Sequence, residues 1–177
     1  MFVTSTRKSI LAAIRTIDKA IVIAHNAIMF YSDLSMRTES KELARIFRWL
    51  AAYERLHRAE LTEKRKEFAA HPLVKGRVPV TEFDPSLTKI SLKIDPTALN
   101  MKINIMRLAV ANARKAFAFY QRKSTYTTDP TVKALLKEFA DIEEKRMRFF
   151  KAQLINVQSG HSLDEIPQST SLASIVP

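Results

Sequence analysis

Apolar residues recur at alternating intervals of four and three along four long stretches of the chain, the spacing of amphipathic helices in a bundle. The first stretch runs roughly from Ser9 to Arg37 on Ile10, Ile14, Ile17, Ile21, Ala24, Ile28 and Tyr31. A polar break, Arg37-Thr38-Glu39-Ser40, leads into the second, roughly Ser40 to Ala70. Ser40 is placed to cap that helix, and its stripe is Leu43, Phe47, Leu50, Glu54, His57 and Leu61. The third starts near Pro96 with Asp95 as its cap and carries Leu99, Ile103, Met106, Val110, Ala113, Phe117 and Tyr120. Thr128-Asp129-Pro130 opens the fourth, which runs to about Val157 on Leu136, Ala140, Glu143 or Glu144, Met147, Phe150 and Leu154. The segment His71 to Asp95, with Pro72, Pro79 and Pro85, has the length of a crossover that spans a bundle. The pattern predicts an all-α four-helix bundle over residues 1–157. Two helix hairpins are joined by that crossover at about 71–95, and a Ser-rich extended C-terminal tail follows over 158–177.

Composition narrows the chemistry. The 177 residues, 46% hydrophobic and 27% charged, fit one globular domain. There is no Cys, which removes disulfides, thiol catalysis, iron–sulfur clusters and Cys-ligated zinc. Only Gly76 and Gly160 occur, so no glycine-rich phosphate loop exists. The uncharged run Ala20 to Ser32 is too short to cross a bilayer and holds His25 and Asn26 at its middle. Arg7, Lys8 and Arg15 without an acid faintly suggest a transit peptide, but the same stretch continues in register into the first helix. The expected location is the cytoplasm or an organelle matrix, without secretion.

The two hairpins read as an internal repeat. An offset of 89 lays Phe30-Tyr31 on Phe119-Tyr120, Ala24 on Ala113 and Ala27 on Ala116. One extra residue in the second turn then lays Ala44 on Ala134, Ile46 on Leu136, Trp49 on Phe139 and Glu54 on Glu144.

The candidate chemistry is the polar pair Glu54 and His57, three apart on an otherwise apolar face. A carboxylate and an imidazole among apolar side chains need partners, because burying either alone is costly. Glu-x-x-His on an inward face is the unit from which carboxylate-bridged di-iron bundles are built. Around it, the runs Ala27-Ile28-Met29-Phe30-Tyr31, Lys41-Glu42-Leu43-Ala44 and Glu54-Arg55-Leu56-His57, echoed by Phe119-Tyr120 and Glu143-Glu144-Lys145-Arg146-Met147, resemble the rubrerythrin-like branch of the ferritin-like superfamily. The resemblance covers about residues 8 to 155. It implies the four-helix bundle above, a di-iron centre, and peroxide reduction or ferrous-iron oxidation. It also implies one glutamate from the first helix of each half and a Glu-x-x-His from the second.

Against that pattern, the first-helix glutamate positions hold Ala24 and Ala113, a further one holds Ala116, and the second histidine falls on Met147. Alanine has no donor atom, and a thioether suits hard iron poorly. Glu54, His57 and Glu144 remain as the candidate metal ligands of a reduced site. Three arrangements accommodate them: a hydrogen-bonded network with no cofactor, in which His57 meets Glu144 and an arginine, a tyrosine or water holds Glu54; a single zinc or iron; or a di-iron site completed by Glu143 or Asp141. His25 follows the lost Ala24 position, rotated about 100° from it, so it points away from the centre.

Charge adds a second candidate surface. The formal net charge is +11. Residues 97–128 hold Lys102, Arg107, Arg114, Lys115, Arg122 and Lys123 and no acid, whereas the second and fourth helices mix both signs. Such a face suits an acidic protein, a nucleic acid or an anionic lipid. The aromatic group Phe117, Phe119, Tyr120, Phe149 and Phe150 is broader than one stripe buries, which suggests a homodimer or a subunit of a larger assembly. The expected function is that of a non-catalytic or accessory bundle acting by its basic surface on an acidic partner. The alternative is a rubrerythrin-type metal-binding protein that oxidises iron or reduces peroxide at the reduced site.

Overall fold

The computed structural model describes residues 6–74, 98–161 and 163. Four helices follow in order: α1 Arg7–Arg37, α2 Lys41–Ala69, α3 Ala98–Tyr126 and α4 Pro130–Gln158. The Thr6 side chain accepts from Ser9 N at 3.2 Å and caps α1, whose first residue, Arg7, lies two residues before the start that the periodicity gives. Ser40 caps α2 from Leu43 N at 3.3 Å. Asp129 caps α4 from the amides of Thr131 at 3.0 Å and Val132 at 3.1 Å. Pro130 follows in the first turn, where its missing N–H costs nothing. The Asp95 cap, the start at Pro96, the crossover beyond Val74 and the tail beyond Leu163 lie outside the described residues.

α1 packs along α2 and α3 along α4, as two antiparallel hairpins. Two contacts between helix starts set the hairpins against each other. Ser9 at the start of α1 donates to Asp129 at the start of α4. Lys102 at the start of α3 pairs with Glu42 at the start of α2. Thus α1 runs parallel to α4, and α2 to α3. The end of α2 and the start of α3 therefore lie at opposite ends of the bundle, separated by the length of a 29-residue helix, about 43 Å. Among the described residues no helix is long and apolar enough to cross a membrane.

The described residues also correct the register of the repeat. Each hairpin turn has three residues between its helices, 38–40 and 127–129. Ser40 and Asp129, the two caps, hold equivalent places 89 positions apart. No residue is inserted, and one offset serves both helices of each pair. It lays Phe47 on Leu136, Leu50 on Phe139 and Ala51 on Ala140, all six buried.

The aromatic group is likewise resolved within the chain. Tyr120 and Phe150 are buried, Phe117 and Phe149 pack on the cores, and Phe119 alone of the five is exposed, at 42%. Phe149 lies near-parallel to both Trp49 at 5.7 Å and Tyr53 at 5.3 Å, which are themselves 5.9 Å apart. Aromatic rings add about 0.5–1.5 kcal/mol per pair beyond their buried area. One apolar cluster gathers around Phe47, Tyr53 and Met106, and another around Ile17, Leu136 and Phe139. Four polar side chains at mid-length of α2 and α4 are buried with them.

Candidate metal centre: a guanidinium between two carboxylates

Those four are Glu54 and His57 from α2, and Glu143 and Arg146 from α4, each under a tenth exposed. The single offset makes Glu54 the counterpart of Glu143 and His57 the counterpart of Arg146. The two motifs thus face each other as Glu-x-x-His and Glu-x-x-Arg.

The sequence-based assignment of the second half is corrected by one residue. Glu144 lies on the outer side of α4, 38% exposed, and receives a 2.7 Å bond from Arg148 Nη2. It does not join Glu54 and His57. A one-residue step turns a helix by about 100°, so Glu143 and Glu144 cannot share a face. Met147 is likewise not the histidine's counterpart; it packs half-buried against the apolar core. Arg146 escaped the sequence reading because an inserted residue had shifted the register. The paired caps Ser40 and Asp129 were the signal that would have corrected it.

Arg146 Nη1 donates to both carboxylate oxygens of Glu143, at 2.7 and 2.9 Å. Its Nη2 donates to Glu54 Oε1. The guanidinium carbon also sits 5.6 Å from the Tyr53 ring centre and 5.8 Å from that of Phe150. A fork shared between two carboxylates on an aromatic bed uses the planar geometry that Arg has and Lys lacks. His57 Nε2 stands 3.6 Å from Glu143 Oε1, too long for a hydrogen bond. His57 Nδ1 and Arg146 Nε find no partner among the described residues.

Electrostatics follow from burial. Burial pushes the Glu54 carboxyl up, and Arg146 only partly pulls it back. Glu143 is also raised by burial, partly offset by Arg146 and pushed further by Glu54. His57 falls well below its ordinary range, first through burial and then through the Arg146 charge, so its neutral form is held. For Arg146 burial opposes the charge, but Glu143 and Glu54 outweigh it and the guanidinium is raised. Tyr31, Tyr53 and Tyr120 are raised by desolvation and remain protonated phenols.

At the positions of first-helix ligands, Ala24 and Ala113 are buried and bring no donor. Among the described residues no three His, Cys, Asp or Glu side chains are grouped to hold a metal ion. Both Glu143 oxygens and Glu54 Oε1 already accept from Arg146. An added cation would meet a permanent positive charge within a few ångströms, where the low dielectric makes repulsion strong. His25 lies away from the centre, accepting from Arg58 Nη1 at 3.0 Å.

On the outer surface, the helix-three cations separate into two kinds. Lys102 is neutralised by Glu42. Arg107, Arg114, Lys115, Arg122 and Lys123 are exposed and form no ion pair among the described residues. Lys123 rests 5.9 Å from the Phe119 ring centre.

A bundle of two crossed-over helix hairpins with paired inward Glu-x-x-His-type motifs defines the ferritin-like class. The rubrerythrin family model matches residues 16–154, and the chain belongs to that family. Comparison with curated proteins and with solved structures gives no match.

Proposed function

We propose that this chain is a rubrerythrin-family bundle in which an internal ion pair stands in place of the di-iron centre, and that it acts through its surface as an accessory component docking on an acidic partner. The observation that carries the reading is Arg146, which bridges Glu54 and Glu143 where the repeat calls for a second histidine. The residues present do not fit two irons. The donor set is Glu54, His57 and Glu143, the first-helix positions are alanine, and a fixed cation already occupies the carboxylates. Three donors cannot fill the coordination shells of two metal ions. The surface part of the reading is supported by the five exposed cations of α3 that form no ion pair among the described residues, in a chain with a net charge of +11.

The test is metal content by elemental mass spectrometry, on protein purified without chelator and again after anaerobic ferrous loading. A ferrous-oxidation and peroxide-consumption assay accompanies it. The expected result is no stoichiometric metal and no turnover above a protein-free blank. Two irons per chain with oxidation would overturn the reading. A second reading, a mononuclear site on Glu54, His57 and Glu143, is favoured by one observation: His57 Nδ1 is buried without a partner among the described residues. One metal per chain, lost in His57→Ala, would establish it.

A further inference from the structure

The two hairpins of the repeat differ along their outer seams. In the first hairpin, arginines of α2 reach across to α1. Arg65 Nε donates to Asp18 Oδ1 at 2.5 Å, Arg58 Nη1 to His25 Nδ1 at 3.0 Å, and Arg55 Nη2 to Ser32 Oγ at 3.3 Å. The three acceptors are seven residues apart and so share one side of α1. In the second hairpin the same register puts Arg107, Arg114 and Gln121 at the acceptor places on α3. It puts Leu154, Met147 and Glu144 at the arginine places on α4. The first two rungs have thus exchanged their arginine to the other helix and lost its partner. Arg107 and Arg114 are exposed and make no ion pair among the described residues. Lys115 and Arg122, also seven apart, lie beside them in the same state. Between them on α3 lie the small side chains of Ala111, half-buried, and Ala118, exposed. From Arg107 to Arg122 the stripe spans about 22 Å.

We infer that this stripe binds the phosphate backbone of a nucleic acid without reading its base sequence. The inference deepens the surface reading proposed above and rests on it. Three features select this partner among anionic ones. Arginine dominates the stripe, and its planar fork matches phosphate oxygens two at a time. Alanines between the cations let a strand lie close, while they supply none of the aromatic or large apolar anchors found at the centre of a protein interface. The stripe equally lacks the large apolar residues that a membrane-surface helix inserts. The exposed rings Phe119 and Tyr126 border the stripe, one turn beyond Lys115 and Arg122, and do not lie among its cations, so contact along it is with the backbone.

The experiment is fluorescence anisotropy of the full chain with a labelled DNA duplex of about twenty base pairs, and with a single-stranded RNA of similar length. Neutralising about four phosphates on the duplex makes affinity fall roughly a hundredfold between about 50 and 200 mM salt. Arg107→Glu with Arg114→Glu should cut affinity at least about tenfold and make the salt dependence shallower by about two phosphates. Arg15→Glu with Lys19→Glu, exposed on α1 and equal in charge change, should leave affinity within about twofold. Far-ultraviolet circular dichroism checks that both variants remain folded. Equal losses in the two variants would overturn the assignment to α3. A polyglutamate chain serves as the contrasting probe. Binding of polyglutamate that depends on Arg107 and Arg114, with no nucleic-acid binding at low salt, would overturn this inference and leave the surface reading standing. Binding of neither probe would overturn both.

Discussion

Arg146 stands in α4 where His57 stands in α2: each is the third residue after a buried glutamate, and the two motifs face each other inside the bundle. One half of the pair keeps a neutral imidazole. The other supplies a permanent cation that bonds both glutamates.

Removing that cation should be severe. Arg146→Met leaves Glu54 and Glu143 buried without their donor, and breaking a buried pair in this way costs about 3–5 kcal/mol. Urea unfolding followed by circular dichroism measures it. Adding Glu54→Gln and Glu143→Gln to the same background should recover much of the loss, because neutral amides cost less to bury than unpaired carboxylates. A loss below about 1 kcal/mol in Arg146→Met would show that the network is not the brace described above.

Arg146→His should convert the centre. It restores Glu-x-x-His in both halves and removes the fixed charge, leaving two carboxylates and two imidazoles facing inward. The expected outcome is binding of one zinc or ferrous ion per chain by the variant and none by the parent, read by isothermal titration with zinc. Parent and variant binding alike would contradict the view that Arg146 excludes the metal.

His57 sets a pH dependence whose sign can be worked out. Its pKa is lowered in the folded state, so below about pH 6.5 the unfolded chain takes up a proton that the folded chain does not. Stability that is fully present above that pH is lost on acidification, by up to about 1.4 kcal/mol per pH unit. The raised carboxyls of Glu54 and Glu143 act in the opposite sense, taking up protons in the folded state before the unfolded one. The comparison of His57→Gln with the parent isolates the imidazole. The variant should lose less stability between pH 6.5 and 5, and parallel curves would refute the assignment.

Asp129 does two jobs, capping α4 and tying it to Ser9 at the start of α1. Burial would raise its carboxyl, but the bonds from Ser9 and from the Val132 and Thr131 amides hold it below its ordinary value. Asp129→Ala should cost about 1–2 kcal/mol in thermal or urea unfolding at neutral pH. The difference from the parent should shrink as pH falls through the carboxylate range, where the parent's cap is protonated. Asp129→Asn keeps an acceptor for the amides and should recover most of the cap.

Much of the bundle was legible in the chain itself. The alternation of four and three along Ile10 to Tyr31 or Leu43 to Leu61 sets a buried helix face wherever the helix is placed, because side-chain direction follows from helix geometry. The Ser40 cap was equally plain, since its short oxygen satisfies a first free amide locally, and Thr128-Asp129-Pro130 marked where α4 opens. Glu54 and His57 stood out as polar residues on an apolar stripe. What the chain read alone did not supply was the partner across the bundle. Glu143 and Glu144 are adjacent, both fit a glutamate motif, and an error of one residue turns the side chain by about 100°.

The sequence by itself therefore determined the helices, the Ser40 cap, the missing first-helix glutamates and the excess of positive charge on α3. These depend on residue type and near-neighbour spacing. Only the tertiary structure decided that Glu143 faces inward, that Arg146 fills the space between two carboxylates, and that among the described residues Lys102 is paired while Arg107 and Arg114 are not. Those outcomes depend on contacts between residues far apart in the chain, such as Glu54 and Arg146, and only packing brings such residues together.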